Sequence, residues 1–124
     1  MGTIAGIFIV LLSIAHNIYG EKKQIPDLKQ ITDDPIIIGS LRVMIIQGGL
    51  LLLAVGIVQI LASVGIIELI GVARYFPVGI ITLNFCTFLS IAIFIHKELL
   101  KITIPQIVIF VIIISLQLLS IRSL

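Results

Sequence analysis

The residues best suited to chemistry lie at the end of the first long apolar segment, in the stretch SIAHNIYGEKK at positions 13–23. Ser13, His16 and Asn17 are spaced i, i+3 and i+4, which places them on one face of a helix. The imidazole of His16 could accept a proton or ligate a metal ion. It could instead hydrogen-bond to Asn17, to Gln47 or to a backbone carbonyl, and the face would then be a structural contact between helices.

A wider polar cluster forms if neighbouring elements bring other polar groups to the depth of His16. Arg42 lies early in the second apolar segment, and the sequence His-Lys-Glu at positions 96–98 closes the third. The candidate cluster comprises His16, Asn17, Glu21, Arg42, Gln47, His96 and Glu98. Two histidines alone make a poor metal site, and a carboxylate would have to join them. No nucleophile–base pair or phosphate-binding loop is evident, so the sequence predicts no catalytic residue, no metal site and no cofactor.

Composition indicates that lipid is the solvent for much of this chain. Of its 124 residues, 60% are hydrophobic and only 11% are charged, whereas soluble domains carry roughly 25% charged residues. A chain this short cannot bury so much apolar surface in a water-soluble core. The basic residues form no stripe with interleaved aromatics, so nucleic acid is excluded as a partner. The single cysteine, Cys86, allows no intramolecular disulfide.

Four apolar segments predict four transmembrane helices in a single domain, at residues 3–20, 36–63, 77–95 and 104–122. Each approaches or exceeds the roughly 17–25 residues needed to cross the hydrocarbon core. Asp34 followed by Pro35 predicts a helix start, with the aspartate as N-cap and the proline at the first helical position. The predicted fold class is an all-α membrane protein, a four-transmembrane-helix bundle with both termini on the same side.

The charged segments between the spans predict an orientation. Residues 21–34 and 96–101 are predicted loops on one side, and they carry Lys22, Lys23, Lys29, Lys97 and Lys101. The opposite side, which includes a predicted short connector at 66–76, carries Arg74 and Arg122. Because loops rich in lysine and arginine stay in the cytoplasm, we expect a multi-pass protein of the cell membrane with both loops cytoplasmic and both termini outside.

Small residues predict where the helices touch, because helices in lipid associate through close backbone approach. In the second span, Gly49, Gly56 and Ser63 follow Arg42 at intervals of seven residues. In the first span, Gly2 and Gly6 form a GxxxG motif. We expect these positions to be helix-packing contacts; the alternative is that the glycines line a permeation path.

Uncharged polar side chains within the spans should face the bundle interior, since lipid cannot satisfy them. These residues are His16, Asn17, Gln47, Gln59, Asn84 and Gln117. None carries a carboxylate. This argues against a small multidrug-type antiporter, which needs a buried acid in its first helix.

The pattern His16-x-x-x-Gly20-Glu21, followed by Pro26, by Arg42 early in the second span and by a proline at the start of the last, spans most of the chain. It resembles a loosely defined set of small uncharacterised prokaryotic four-helix integral membrane proteins. The resemblance implies the topology and no named activity. Members carry a Trp-His pair early in the second helix, where this chain has Ile46 and Gln47, which puts a metal or haem role in doubt.

Three functional hypotheses follow. The first is a structural or accessory subunit of a membrane complex or homo-oligomer, with the lipid bilayer and other membrane subunits or further copies as partners. The second is a small channel or transporter with a polar path between helices. The third is a membrane enzyme or cofactor binder that uses His16, Arg42 and His96. Enzymatic activity stays open, and the absence of a recognisable catalytic set favours a protein that is not an enzyme.

Overall fold

The computed structural model describes residues 1–122, and this part of the chain contains helices and no β-strand. The α-helices are α1 (Gly2–Tyr19), α2 (Ile25–Lys29), α3 (Pro35–Ser63), α4 (Phe76–Phe94), α5 (Leu99–Ile102) and α6 (Ile104–Arg122). The segments containing α1, α3, α4 and α6 are long and apolar enough to cross a membrane. The predicted all-α fold with four membrane-spanning helices is confirmed.

The four long helices form a bundle in which each packs mainly against two neighbours. Helix α1 packs against α3 and α6, and α4 packs against the same two helices. The α1–α3 contact is the most extensive and is antiparallel, since Gly2 lies against Ser63 while Gly20 lies against Ile45. This pair therefore forms the best-packed part of the bundle.

An apolar core fills the middle of the bundle. Its buried members are Ile9, Leu52, Val55, Ile81, Phe110 and Ile113. The rings of Phe85 and Phe110 stack with their centroids 5.5 Å apart, joining α4 to α6. Large apolar side chains also cover the outside of the bundle, as with Ile4, Ile7, Leu11, Ile14 and Ile18 on α1. An exterior this apolar is what a lipid-facing surface requires.

The charged segment after α1 is helical at its start, so the prediction of a loop throughout 21–34 is wrong. Residues Gly20–Gln24 form a π-helical turn in which the Ile25 N–H donates to the carbonyl of Gly20, and α2 follows. Glutamate, lysine and glutamine are good helix formers, so charge alone does not end a helix. The widened turn also precedes Pro26, which lacks an N–H group to donate.

The predicted N-cap of α3 is confirmed. The Asp34 carboxylate accepts a hydrogen bond from the Ile36 N–H at 2.9 Å, and Pro35 occupies the first helical position.

The connector between α3 and α4 contains a 3-10 helix at Gly71–Tyr75. Gly65 and Gly71 have φ values of 82° and 61°, a left-handed conformation that favours glycine. The predicted loop at 96–101 is partly helical, because α5 begins at Leu99.

Candidate functional site

His16 sits at the interface of α1 and α3 and is half-buried. Its Nε2 lies 3.1 Å from the carbonyl oxygen of Ile45. A carbonyl oxygen can only accept, so the His16 Nε2 is the donor in this contact, and whenever the ring is neutral Nδ1 holds the lone pair. The sequence was compatible with a chemical role for the His16 ring or with a structural hydrogen bond to a carbonyl. The structure shows the hydrogen bond to a carbonyl.

Two adjacent glycines on α3 make room for the polar face of α1. A Cβ on Gly48 would lie 3.2 Å from the His16 Nε2, and a Cβ on Gly49 would overlap the side-chain amide of Asn17. The third polar residue of this face, Ser13, is 2% exposed and donates to the carbonyl of Val10 on its own helix. The close approach of α3 therefore depends on paired glycines opposite the two largest polar side chains.

Asn17 is the polar residue of this face whose hydrogen bonding is least complete. Its side-chain oxygen is buried and has no hydrogen-bond partner. A buried oxygen of this kind normally finds a donor. Here the Asn17 amide instead fills the space beside Gly49, so its contact with α3 is one of packing.

Glu21 and Arg42 form an ion pair where the π-helical turn passes α3. The Arg42 Nε lies 2.7 Å from one Glu21 oxygen, and Nη2 lies 3.3 Å from the other. The two side chains are 41% and 43% exposed, so the pair adds only about 0–1 kcal/mol. Arg42 therefore reaches a carboxylate of its own chain.

His96 and Glu98 form a second and separate pair after α4, with the His96 Nδ1 3.3 Å from a Glu98 oxygen. The backbone N–H of Glu98, and secondarily His96, hold the pKa of the Glu98 carboxyl below its ordinary value. Within residues 1–122, no hydrogen bond or ion pair links this pair to His16 or to Arg42. The candidate cluster is therefore divided into separate contacts: the Glu21–Arg42 ion pair, the His96–Glu98 hydrogen bond and the contact of His16 with the Ile45 carbonyl.

Two amides lie on the outside of the bundle, contrary to the expectation that all span amides face inward. Gln47 and Asn84 are both exposed, and each lies near the middle of its helix. The Asn84 Nδ2 donates to the carbonyl of Ile80 on its own helix, at 2.9 Å. The expectation that every amide within a span faces the bundle interior is therefore wrong for these two residues.

Gln59 and Gln117 do face inward and meet each other. The Gln117 Nε2 donates to the Gln59 Oε1 at 3.3 Å, and the two residues are 1% and 8% exposed. The Oε1 of Gln117 is buried and has no partner. This pair links α3 to α6 toward the end of the bundle where α1 begins and α6 ends.

The predicted packing residues lie along the α1–α3 seam. A Cβ on Gly6 would be 3.0 Å from the carbonyl oxygen of Gly56, and one on Gly56 would be 3.1 Å from that of Gly6. Added carbons at Gly2 and Gly49 would likewise collide with side chains. Gly20 and Gly48 belong to the same seam and were not among the predicted packing residues. The Gly48-Gly49 doublet and the i+7 spacing of Gly20 from Ser13 were the sequence signals for them.

The bundle has a cavity at one end and a smaller cleft near the other. The cavity has a volume of about 620 Å³ and lies between the start of α1, the end of α3 and the connector. Its polar lining includes Thr3, Gln59, Ser63, Glu68 and Arg74. The cleft, of about 220 Å³, lies between α1, α3 and α6 and is lined by His16, Tyr19 and Gln106, with apolar residues around them.

Within residues 1–122, no group of three or more histidine, cysteine, aspartate or glutamate side chains is placed to hold a metal ion. No protein-family model, curated protein or solved structure matches this chain. The fold and the polar contacts together define the structural class of this protein. It is a helical membrane protein with four candidate spans, a glycine-lined α1–α3 seam and isolated polar contacts near its charged end.

Proposed function

We propose that this protein is a structural or accessory subunit of a membrane assembly, built from further copies of the chain or from larger partner subunits. The observation that carries the proposal is the position of Gln47 and Asn84, two mid-span amides on the outer surface of the bundle. Polar side chains within a membrane normally face protein or water. A neighbouring protein surface would supply the missing hydrogen-bond partners.

The interior supports this proposal over transport through a single copy. The apolar core lies between the cavity at one end and the His16 cleft near the other. Its members include Ile9, Ile81 and Ile113, each 0% exposed. A hydrated path between the two spaces would have to displace these side chains.

Replacement of Asn84 by leucine tests the proposal. The chain would be labelled with donor or acceptor dyes, and its association in lipid vesicles would be measured by energy transfer. We expect Asn84→Leu to weaken association about threefold, because interhelical hydrogen bonds in membranes average about 0.6 kcal/mol. The control is Leu83→Val, an apolar change at the neighbouring exposed residue. Monomeric wild-type protein would refute assembly from further copies of the chain, and equal association of the Asn84→Leu variant would refute a role for this outward amide in that assembly.

The outward amides also favour one alternative, a channel formed between copies. If the copies surround an axis, Gln47 and Asn84 would line a polar path along it. The double variant Gln47→Leu/Asn84→Leu, measured for ion or solute flux in liposomes, separates the two functions. Flux that the wild type supports and the double variant lacks would favour a channel; assembly without flux would favour a subunit.

We also propose that the protein lies in the cell membrane with residues 21–34 and 96–101 in the cytoplasm and both termini outside. The support is the lysine excess of those two segments. In a Cys86→Ser background, a cysteine at the exposed Asp33 should resist an impermeant thiol reagent in intact cells. A cysteine added after Leu124 should react. The reverse labelling would overturn the orientation.

A further inference from the structure

The His16 ring beside the cleft uses one of its two nitrogens in a hydrogen bond within the protein, and the second nitrogen is suited to bind a ligand. The Nε2–H of His16 donates to the Ile45 carbonyl at 3.1 Å, which fixes the tautomer. The hydrogen-bonding atom left on the ring is Nδ1, and in the neutral ring it is an acceptor. Because His16 lines the cleft, this acceptor is suited to a ligand that donates a hydrogen bond.

The other lining residues describe what such a ligand is like. Tyr19 and Gln106 add a hydroxyl and an amide, whereas Leu52 and Phe110 provide apolar walls. None of the cleft's lining residues is a lysine, arginine, aspartate or glutamate. A neutral ligand therefore fits better than an anionic lipid head group or a fatty acid, whose charge would have no partner.

The size and position of the cleft narrow the class of ligand further. The volume of about 220 Å³ is below the roughly 300–1,000 Å³ typical of pockets that enclose a whole drug-sized molecule. The cleft thus suits a ring-sized head group, while an attached apolar tail extends along the lipid-facing surface. It lies beside the second half of α1 and the first half of α6, in the membrane half nearer the charged segments.

We infer that this cleft binds the head group of a neutral, lipid-soluble ring compound that presents a hydroxyl, such as a quinol. The hydroxyl donates to the His16 Nδ1, the amide of Gln106 bonds a second oxygen of the ring, and Phe110 packs against the ring. The site lies within one copy of the chain, so it does not depend on assembly with other subunits.

The test compares two forms of one probe, decylubiquinol and decylubiquinone, added to the full chain in neutral phosphatidylcholine nanodiscs. Only the reduced form carries the hydroxyl that donates to Nδ1. With histidine labelled by ¹⁵N, the chain gives signals from two residues, and the exposed His96 serves as an internal reference. We expect the quinol to shift the His16 Nδ1 signal and to bind about tenfold more tightly than the quinone, since one hydrogen bond is lost.

Two matched variants separate binding in the cleft from general partitioning into lipid. Ala15→Phe places a ring in the cleft, which Ala15 lines, and Ala54→Phe places one on exposed α3 surface away from it. Both residues are exposed, so both variants should fold, which a thermal melt checks. We expect binding to be lost in Ala15→Phe and kept in Ala54→Phe.

Three outcomes would overturn the inference: equal affinity for the two probe forms, wild-type binding by Ala15→Phe, or a shift of the His16 signal by decanoate as large as that by the quinol. The last would identify the cleft as a fatty-acid contact. None of these results depends on whether Asn84→Leu alters assembly, so this inference and the proposed function can fail separately.

Discussion

The glycine contact between α1 and α3 yields the sharpest test of what holds the bundle together. A Cβ at position 56 would lie 2.8 Å from the Cγ2 of Val10 and 3.1 Å from the carbonyl oxygen of Gly6. The side chain of Val10 can rotate away, but the backbone oxygen can move only with its helix. We therefore expect Gly56→Ala to separate α1 from α3 slightly.

The magnitude follows from comparison with a second glycine on the same helix. A Cβ on Gly39 would have no atom within 4 Å, so Gly39→Ala changes helix propensity without adding a contact. Overpacking of a close contact costs about 1–3 kcal/mol, whereas replacing glycine by alanine in a helix gains up to about 1 kcal/mol. The free energy of unfolding of Gly56→Ala should therefore be about 1–3 kcal/mol lower than that of Gly39→Ala.

The assay is reversible unfolding in mixed detergent micelles by titration with dodecyl sulfate, followed by energy transfer between dyes at the ends of α1 and α3. The double variant Gly6→Ala/Gly56→Ala adds a second measure, since both new carbons enter the same contact. Its destabilisation should differ from the sum of the single changes by at least about 0.5 kcal/mol. Equal stability of Gly56→Ala and Gly39→Ala would refute the close-packing argument.

Three further predictions concern individual polar contacts. Replacing both Gln59 and Gln117 by leucine should change the free energy of unfolding by less than about 1 kcal/mol. Either single replacement should lower it more, because a buried amide then loses its partner. Detergent unfolding of the three variants measures the order of their stabilities. Asp34→Ala should cost about 0.5–2 kcal/mol by removing the N-cap of α3, seen as faster amide hydrogen exchange in its first turn. The depressed pKa of Glu98 means that its contribution to stability is present above the ordinary pKa and is lost as the pH falls through the lower, folded value. Carboxyl NMR should show a low apparent pKa that His96→Gln raises only partly, because the backbone N–H of Glu98 stays in place.

The sequence determined the parts of this protein that depend on local pattern. Long apolar runs have one stable form in lipid, a helix, because every backbone group must find its partner within the segment. The long helices α1, α3, α4 and α6 accordingly begin and end within one residue of the predicted spans. The start of α3 was also predictable, since an Asp34 cap followed by proline is a local signal.

Charge was a poor guide to where the first helical segment ends. Charge predicted a loop after Gly20, but the helix continues through a π-helical turn to Lys29. The same turn brings Glu21 to Arg42. Sequence spacing could place both residues near one membrane face, yet it could not show which carboxylate the guanidinium would meet.

Only the tertiary structure decided the partners of the polar residues. Asn84 and Gln117 are both amides within apolar spans, and no feature of the sequence distinguishes them. Gln117 is 1% exposed and bonded to Gln59, whereas Asn84 faces outward and bonds its own helix. The rotation of each helix about its axis makes the difference, and packing against neighbours sets that rotation. A helix that is apolar on all sides shows almost no amphipathic pattern, so its sequence does not indicate which face points inward.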